Sequence, residues 1–137
     1  MKFAALALVL AWPASAQPIP PDRIAERCNG LETIKVGAQP AKTAPYSLVF
    51  SADLSAGYYC YAECRQAQSF AIGDAKSNPI KIADLHTPQQ TRLIRFDRNS
   101  STLTDHQVID LLGRVERNAT ATCHPAPFHE PPLPSRR

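Results

Sequence analysis

The 137-residue chain has little that would mark a membrane span or a nucleic-acid-binding surface. Its longest apolar run, residues 3–12, is shorter than the roughly 20 residues that cross a bilayer. The formal net charge is only +3, and basic and acidic residues are interspersed, so the sequence indicates neither a nucleic acid nor an anionic membrane as partner. The only tryptophan, Trp12, lies within the apolar run.

The N-terminus is typical of a secretory signal peptide. Lys2 supplies a positive charge, the apolar run follows, and Ala-Ser-Ala at 14–16 fits the small-residue cleavage rule. We predict cleavage after Ala16, which removes residues 1–16 and leaves a periplasmic or secreted product without a transmembrane anchor. Because Trp12 is removed too, the mature chain lacks the core tryptophan of an immunoglobulin-like domain.

Cysteines occur in an even number, which in a small exported chain predicts disulfide bonds. In an extended strand the Cα atoms of Cys60 and Cys64 would be about 13 Å apart, whereas a disulfide needs them within roughly 7 Å. The polar residues after Ala62 favour a turn that brings the two cysteines together. We therefore favour Cys60–Cys64 with Cys28–Cys123, and the two crossed pairings stay open.

Redox and metal chemistry are less well supported by the same cysteines. Their C-x-x-x-C spacing differs from the C-x-x-C of thiol oxidoreductases, and no βαβ pattern surrounds it. His124 adjoins Cys123, but adjacent residues rarely both face one ion. The sequence predicts no metal site and no cofactor.

The N-terminal part of the mature chain has a helical spacing of apolar residues. Ile24, Cys28 and Leu31 fall at i, i+4 and i+7, which predicts a short helix over residues 22–31. A turn-rich linker follows, so residues 17–45 are interpreted as helix and linker.

From residue 46 the apolar period changes to two, which predicts a β domain over residues 46–126. Short strands with no long helix between them indicate a mainly β fold, a small antiparallel sheet curled into a barrel or a sandwich. Residues 64–72 fit either a helical turn or a strand, and residues 127–137 form a predicted proline-rich tail. The predicted strands are 46–54, 58–61, 79–85, 90–96, 101–111 and 114–123.

Candidate catalytic residues are few. His86 and His106 stand at predicted strand ends near Asp84 and Asp105, and a His–Asp pair is one part of a nucleophilic triad. No G-x-S-x-G nucleophile motif accompanies them. We therefore predict no catalytic residues, and exposed loop histidines are the favoured interpretation.

Tyrosines provide the candidate binding face. Tyr58 and Tyr59 point to opposite faces of the second strand, and Tyr61 shares the face of Tyr59. Amphipathic aromatics often line binding surfaces, so Tyr59 and Tyr61 are the candidate residues. A solvent-facing tyrosine pair is the simpler alternative.

Four ordered segments resemble a known group of proteins: "YSLVFSADLSAGYYCYAEC", "PIKIADL", "IRFDRNSSTLTD" and "TATCHPAPF". They resemble small secreted proteins of unknown function from Gram-negative bacteria, which have a YC…C hairpin, a DRxxG-like turn and a terminal TCxxxPF. The likeness covers roughly residues 46–128. Ser101 stands where a turn glycine is usual, and Cys28 is an addition. The resemblance implies a disulfide-stapled β domain in the cell envelope, and it implies no substrate.

The favoured function is an exported, non-enzymatic β domain that binds an unidentified protein or envelope component. Two alternatives stay open. One is a small exported hydrolase that uses His86 or His106, and the other is an inhibitor of a secreted hydrolase, for which disulfide-braced hairpins are good scaffolds.

Overall fold

The computed structural model describes residues 21–64 and 68–134, and these residues form eight strands and no helix. The predicted signal peptide and its cleavage point lie outside the described residues. Within the described part, no helix is long and apolar enough to cross a bilayer. The strands are β1 (Arg23–Val36), β2 (Lys42–Asp53), β3 (Tyr58–Tyr61), β4 (Phe70–Ala71), β5 (Ile80–His86), β6 (Gln90–Asp97), β7 (Thr102–Asp110) and β8 (Arg114–Pro125).

All eight strands belong to one antiparallel sheet in the order β4-β3-β2-β1-β8-β7-β6-β5. The sheet curls into a nearly closed barrel. Residues 72–74 approach both ends of the sheet: the Ile72 N–H donates to the Gly57 carbonyl (2.9 Å), and Asp74 exchanges two backbone hydrogen bonds with Lys81 (2.9 and 3.1 Å). The prediction of a mainly β, antiparallel, disulfide-stapled fold is confirmed, with the barrel as the observed alternative.

The helix predicted over residues 22–31 is wrong, because this segment belongs to β1. Ile24 and Cys28 do face the core, but on a period of two, while Leu31 faces outward and is 62% exposed. Pairing with β2 on one side and β8 on the other satisfies the backbone of β1. β2 begins at Lys42, so the end of the predicted linker is also strand.

Gly30 of β1 has a packing role, because it lies against Thr120 and Ala121 of β8. A Cβ atom at this position would lie 2.0 Å from the Thr120 carbonyl oxygen. Any side chain would therefore push β1 away from β8, because protein interiors tolerate no such overlap.

The barrel interior is apolar over most of its length. Its largest fully buried side chains are Phe50, Ile82, Ile94 and Leu103. The ring of Phe50 meets that of Phe96 edge-on, with centroids 5.8 Å apart. The Cys28–Cys123 disulfide lies among these residues and joins directly opposed positions of β1 and β8, with Cα atoms 4.0 Å apart.

Buried polar side chains occupy another part of the barrel interior. Asp105, which is 6% exposed, accepts hydrogen bonds from the Tyr46 hydroxyl (2.8 Å) and from Arg92 Nε and Nη2 (3.1 and 2.7 Å). Arg117 makes a similar two-pronged contact with Glu32 (2.9 and 2.7 Å). Burial raises the pKa of Tyr46, and the Asp105 charge adds to this, so Tyr46 is a neutral donor. The carboxylates of Asp105 and Glu32 thus each have a close arginine partner, which offsets the cost of burying their charges.

Candidate functional site

The chain leaves the sheet at the end of β3 in a braced turn. The Ala62 N–H donates to the Val49 carbonyl (2.8 Å), and the next residues turn away from β2. Ala62 and Cys64 adopt positive φ angles of 51° and 58°, a region that costs a non-glycine residue about 1–2 kcal/mol. The Cys60–Cys64 disulfide closes this turn. We call residues 60–64 the braced turn.

The C-terminal segment after β8 packs along the outer face of the barrel. The Ala126 N–H donates to the Ala25 carbonyl (2.9 Å), and the His129 N–H donates to Ser51 Oγ (3.0 Å). The His129 carbonyl oxygen lies 3.6 Å from Cys64 Sγ. The predicted proline-rich tail therefore meets the braced turn and covers part of the sheet.

Arg23 anchors the same segment. Its guanidinium lies 5.2 Å from the centre of the Phe128 ring and 3.4 Å from a carboxylate oxygen of Glu130. Both contacts hold residues 126–130 in place against β1. This packing gives the outer face a second wall opposite the braced turn.

Between the braced turn and the C-terminal segment lies a groove of about 510 Å³, which we call the turn groove. Its lining is mostly apolar, and its volume falls within the range of small-molecule sites, roughly 300–1,000 Å³. The apolar lining residues are Val49, Tyr61, Ala62, Phe70, Ala126 and Pro127.

Aromatic rings form one wall of the turn groove. Tyr61 packs against Phe70 with ring centroids 5.5 Å apart, and both rings also contact Tyr59 behind them. The hydroxyls of Tyr59 and Tyr61 are 3.2 Å apart, and the Arg92 guanidinium lies 5.7 Å from the Tyr61 ring centre. Burial raises the pKa of Tyr59, so its hydroxyl stays neutral. The wall is therefore a supported aromatic surface rather than a set of loose side chains.

Besides Tyr61, the described lining of the turn groove has three ionisable residues: Arg27 from β1, Glu63 from the braced turn and His129 from the C-terminal segment. Arg27 is exposed, and no described residue forms an ion pair with it. Glu63, in contrast, already interacts within the chain. The groove thus combines an apolar floor with an unengaged guanidinium.

The structure brings some of the residues singled out from the sequence to this site. Cys60 and Cys64 form the disulfide of the braced turn, and Tyr61 lines the groove. Tyr59 is 4% exposed and supports the aromatic wall from inside the core. The observed pairings, Cys60–Cys64 and Cys28–Cys123, are those favoured from the sequence.

Other contributors were missed by sequence reasoning. Arg27 lies in the segment interpreted as helix, Phe70 in the segment left ambiguous, and His129 in the segment interpreted as a tail. The one signal in the sequence for this site is in β2. Val49 has the same strand parity as the polar Ser51 and Asp53, which indicates that it lies on the outer face.

Both candidate histidines lie outside the turn groove. His86 pairs with Asp84 at 2.7 Å, and its side chain is 73% exposed. His106 contacts Asn118 across the outer faces of β7 and β8, while Asp105 points into the barrel. His106 and Asp105 are adjacent in the sequence, but neighbouring residues of a strand point to opposite faces. They therefore form no His–Asp pair.

Metal ligation has no candidate in the described ranges: no three His, Cys, Asp or Glu side chains gather there as a metal-binding group would. Comparison with protein-family models, with curated proteins and with solved structures gives no match for this chain. The likeness to small secreted bacterial proteins therefore stays an expectation, and the function is argued from the groove itself.

Proposed function

We propose that the protein is an exported binding module whose ligand site is the turn groove. The observation that carries this proposal is a mostly apolar groove of about 510 Å³ enclosed by a disulfide-braced turn and a docked C-terminal segment. Ligand sites are typically such concave, largely pre-formed apolar clefts with a few polar groups.

Rigidity of the walls supports binding rather than mere surface irregularity. One wall is tied by the Cys60–Cys64 disulfide and backed by Tyr59, and the other is held by hydrogen bonds to Ser51 and Ala25. A pre-formed site does not have to order its side chains when the ligand enters, so more of the contact energy appears as affinity.

Export supports the same proposal. Two disulfides fit an oxidising compartment, and the predicted signal peptide would deliver the chain to the periplasm or the exterior. A disulfide-bonded β barrel with a mostly apolar groove suits a binding module there.

Hydrolysis has weaker support. The His86–Asp84 pair resembles the orienting half of a triad. However, the pair is largely exposed and does not line the turn groove.

A neutral apolar dye tests the proposal. We expect Nile red to bind the wild-type protein with increased fluorescence, and Phe70→Ser to weaken that binding about tenfold because a contact of roughly 1.5 kcal/mol is lost. Leu85→Ser is the matched control, because Leu85 is 42% exposed, Phe70 is 39% exposed, and Leu85 lies outside the groove.

Equal weakening by Phe70→Ser and Leu85→Ser would show that the dye binds scattered surface rather than the groove. Absence of dye binding to the wild-type protein would count against a binding site at the turn groove. Amide hydrogen–nitrogen NMR spectra of each variant check that the barrel is intact.

A further inference from the structure

Resting on the proposed function, we infer that the ligand of the turn groove is a small amphipathic carboxylate: an apolar body with one carboxylate group. The body lies against Val49, Phe70 and Pro127, and the carboxylate is bound by Arg27. The inference combines three features of the groove, namely its size, its aromatic wall and its charge.

Arg27 sets the charge of the ligand. It lies on the outer face of β1, in register with Val49 of β2, so its guanidinium stands beside the apolar floor. Other buried or half-buried arginines of the barrel interior are already engaged, Arg92 by Asp105 and Arg117 by Glu32. Arg27 has no ion pair with any described residue, and a planar guanidinium matches a carboxylate with two parallel hydrogen bonds.

Glu63 and His129 are the other described lining residues that a charged head group at Arg27 would meet. Glu63 lines the groove from the braced turn, but it has its own interaction within the chain. His129 adds an imidazole to the wall, whose ring N–H can donate to a carboxylate head group. Arg27 therefore remains the charged group in the described lining that faces a ligand without a partner.

A small molecule fits the groove better than an added β-strand does. A peptide strand would follow the part of β2 that extends beyond β3, but the groove lining includes Val49 and no earlier residue of β2. Pro45 also lacks the N–H that a paired strand would need along that stretch. The groove volume instead matches one ligand of drug-like size.

An isosteric pair of probes tests the inference on the exported, disulfide-bonded protein. We compare 1-naphthaleneacetate with its neutral amide, 1-naphthaleneacetamide, by calorimetry and NMR titration at low ionic strength. In the wild-type protein we expect the carboxylate to bind about tenfold more tightly, because it forms charged hydrogen bonds with Arg27. The preference should shrink as salt is added, since Arg27 is exposed.

Variants at single arginines test whether Arg27 causes the preference for the carboxylate probe. Arg27→Met should bind both probes with similar affinity, whereas Arg114→Met, which removes an exposed arginine of β8 outside the groove, should keep the preference. Arg27→Lys should restore part of it, since an ammonium carries the charge without the planar fork.

The results distinguish a wrong ligand class from a wrong binding site. If the amide and the carboxylate bind the wild-type groove equally, the inference about a carboxylate is wrong while the binding site stands. If neither probe shifts the amide signals of Val49, Phe70 or Ala126, and Nile red also fails, the proposed function falls with it. A preference that survives in Arg27→Met would assign the anion to another residue and overturn the role given to Arg27.

Discussion

The two disulfides hold different parts of the molecule. Cys28–Cys123 lies inside the barrel, spans 95 residues and joins β1 to β8, so that the first and last strands are one covalent unit. Cys60–Cys64 spans four residues on the outer face and shapes one wall of the turn groove. Fold stability and site geometry therefore depend on separate disulfides, and each disulfide can be removed without the other.

Removal of the long-range link should have the largest effect on stability. Cys28→Ala with Cys123→Ala should lower the free energy of unfolding by about 4–5 kcal/mol, because the unfolded chain regains the freedom of a long loop. Urea unfolding measures this difference. Dye binding by the fraction that remains folded should match the wild type, because this link lies inside the barrel, whereas the turn groove lies on the outer face.

A loss below about 1 kcal/mol would mean that strand pairing alone holds β1 against β8. Weakened dye binding in the folded fraction would show that the two regions are coupled. Either result would contradict the assignment of fold stability and site geometry to different disulfides.

Removal of the local link should reverse the pattern. Cys60→Ala with Cys64→Ala should lower the free energy of unfolding by only about 2 kcal/mol, since the closed loop is short. Nile red and 1-naphthaleneacetate binding should fall at least tenfold, because Ala62 and Cys64 lose the constraint that keeps them at positive φ. Unchanged binding in this double variant would contradict the role of the braced turn.

On the braced-turn side, Asp53 provides a smaller, pH-dependent effect. Its Oδ1 accepts hydrogen bonds from Ala56 N (2.9 Å), Ser55 Oγ (2.7 Å) and Ser55 N (3.0 Å) in the turn that leads into β3. The Ala56 N–H, followed by the Ser55 hydroxyl, lowers the pKa of Asp53. Asp53→Asn should therefore lower the free energy of unfolding at pH 7 by about 1 kcal/mol.

The sign of the pH dependence follows from the lowered pKa. The Asp53 contribution is complete above the ordinary aspartate pKa of about 3.9, and it is lost as pH falls through the lower folded value. Glu26 has the opposite sign, because burial raises its pKa. The wild type and Asp53→Asn both contain Glu26, so the difference between their free energies of unfolding isolates the contribution of Asp53. If this difference in the free energy of unfolding does not shrink in acid, the charge of Asp53 does not stabilise the turn.

Local sequence pattern predicted most of the strands between residues 46 and 123, because apolar and polar residues alternate there. It failed at β1, where Glu26, Gly30 and Glu32 face inward and break the alternation. Their inward positions depend on distant partners: Arg117 pairs with Glu32 across 85 residues, and Thr120 is the neighbour that excludes a side chain at Gly30. Local spacing contains no information on such contacts.

The turn groove shows the same limit. Strand parity placed Tyr61 on the face of Tyr59, and spacing suggested a turn between Cys60 and Cys64. Arg27 and His129 come from segments far away in the chain, and the groove exists only because the C-terminal segment packs against the braced turn. Sequence reasoning found one wall and could not find the other.

The smallest effect on the free energy of unfolding is expected at Ser101, which lies next to the Cys28–Cys123 disulfide. Its φ is 53°, in the left-handed region that favours glycine. Its carbonyl accepts the Cys123 N–H (2.8 Å), so it helps to end the β6–β7 turn beside the long-range link. Ser101→Gly should raise the free energy of unfolding by about 0.5–1 kcal/mol, since relief of the left-handed conformation exceeds the entropy that glycine adds to the unfolded chain. Ser100→Gly, at a neighbouring position without positive φ and with a hydroxyl bonded to Thr102 (2.6 Å), should instead be destabilising. If thermal unfolding shows both glycines lowering the melting temperature, the strain at Ser101 is smaller than the entropy that glycine adds to the unfolded chain.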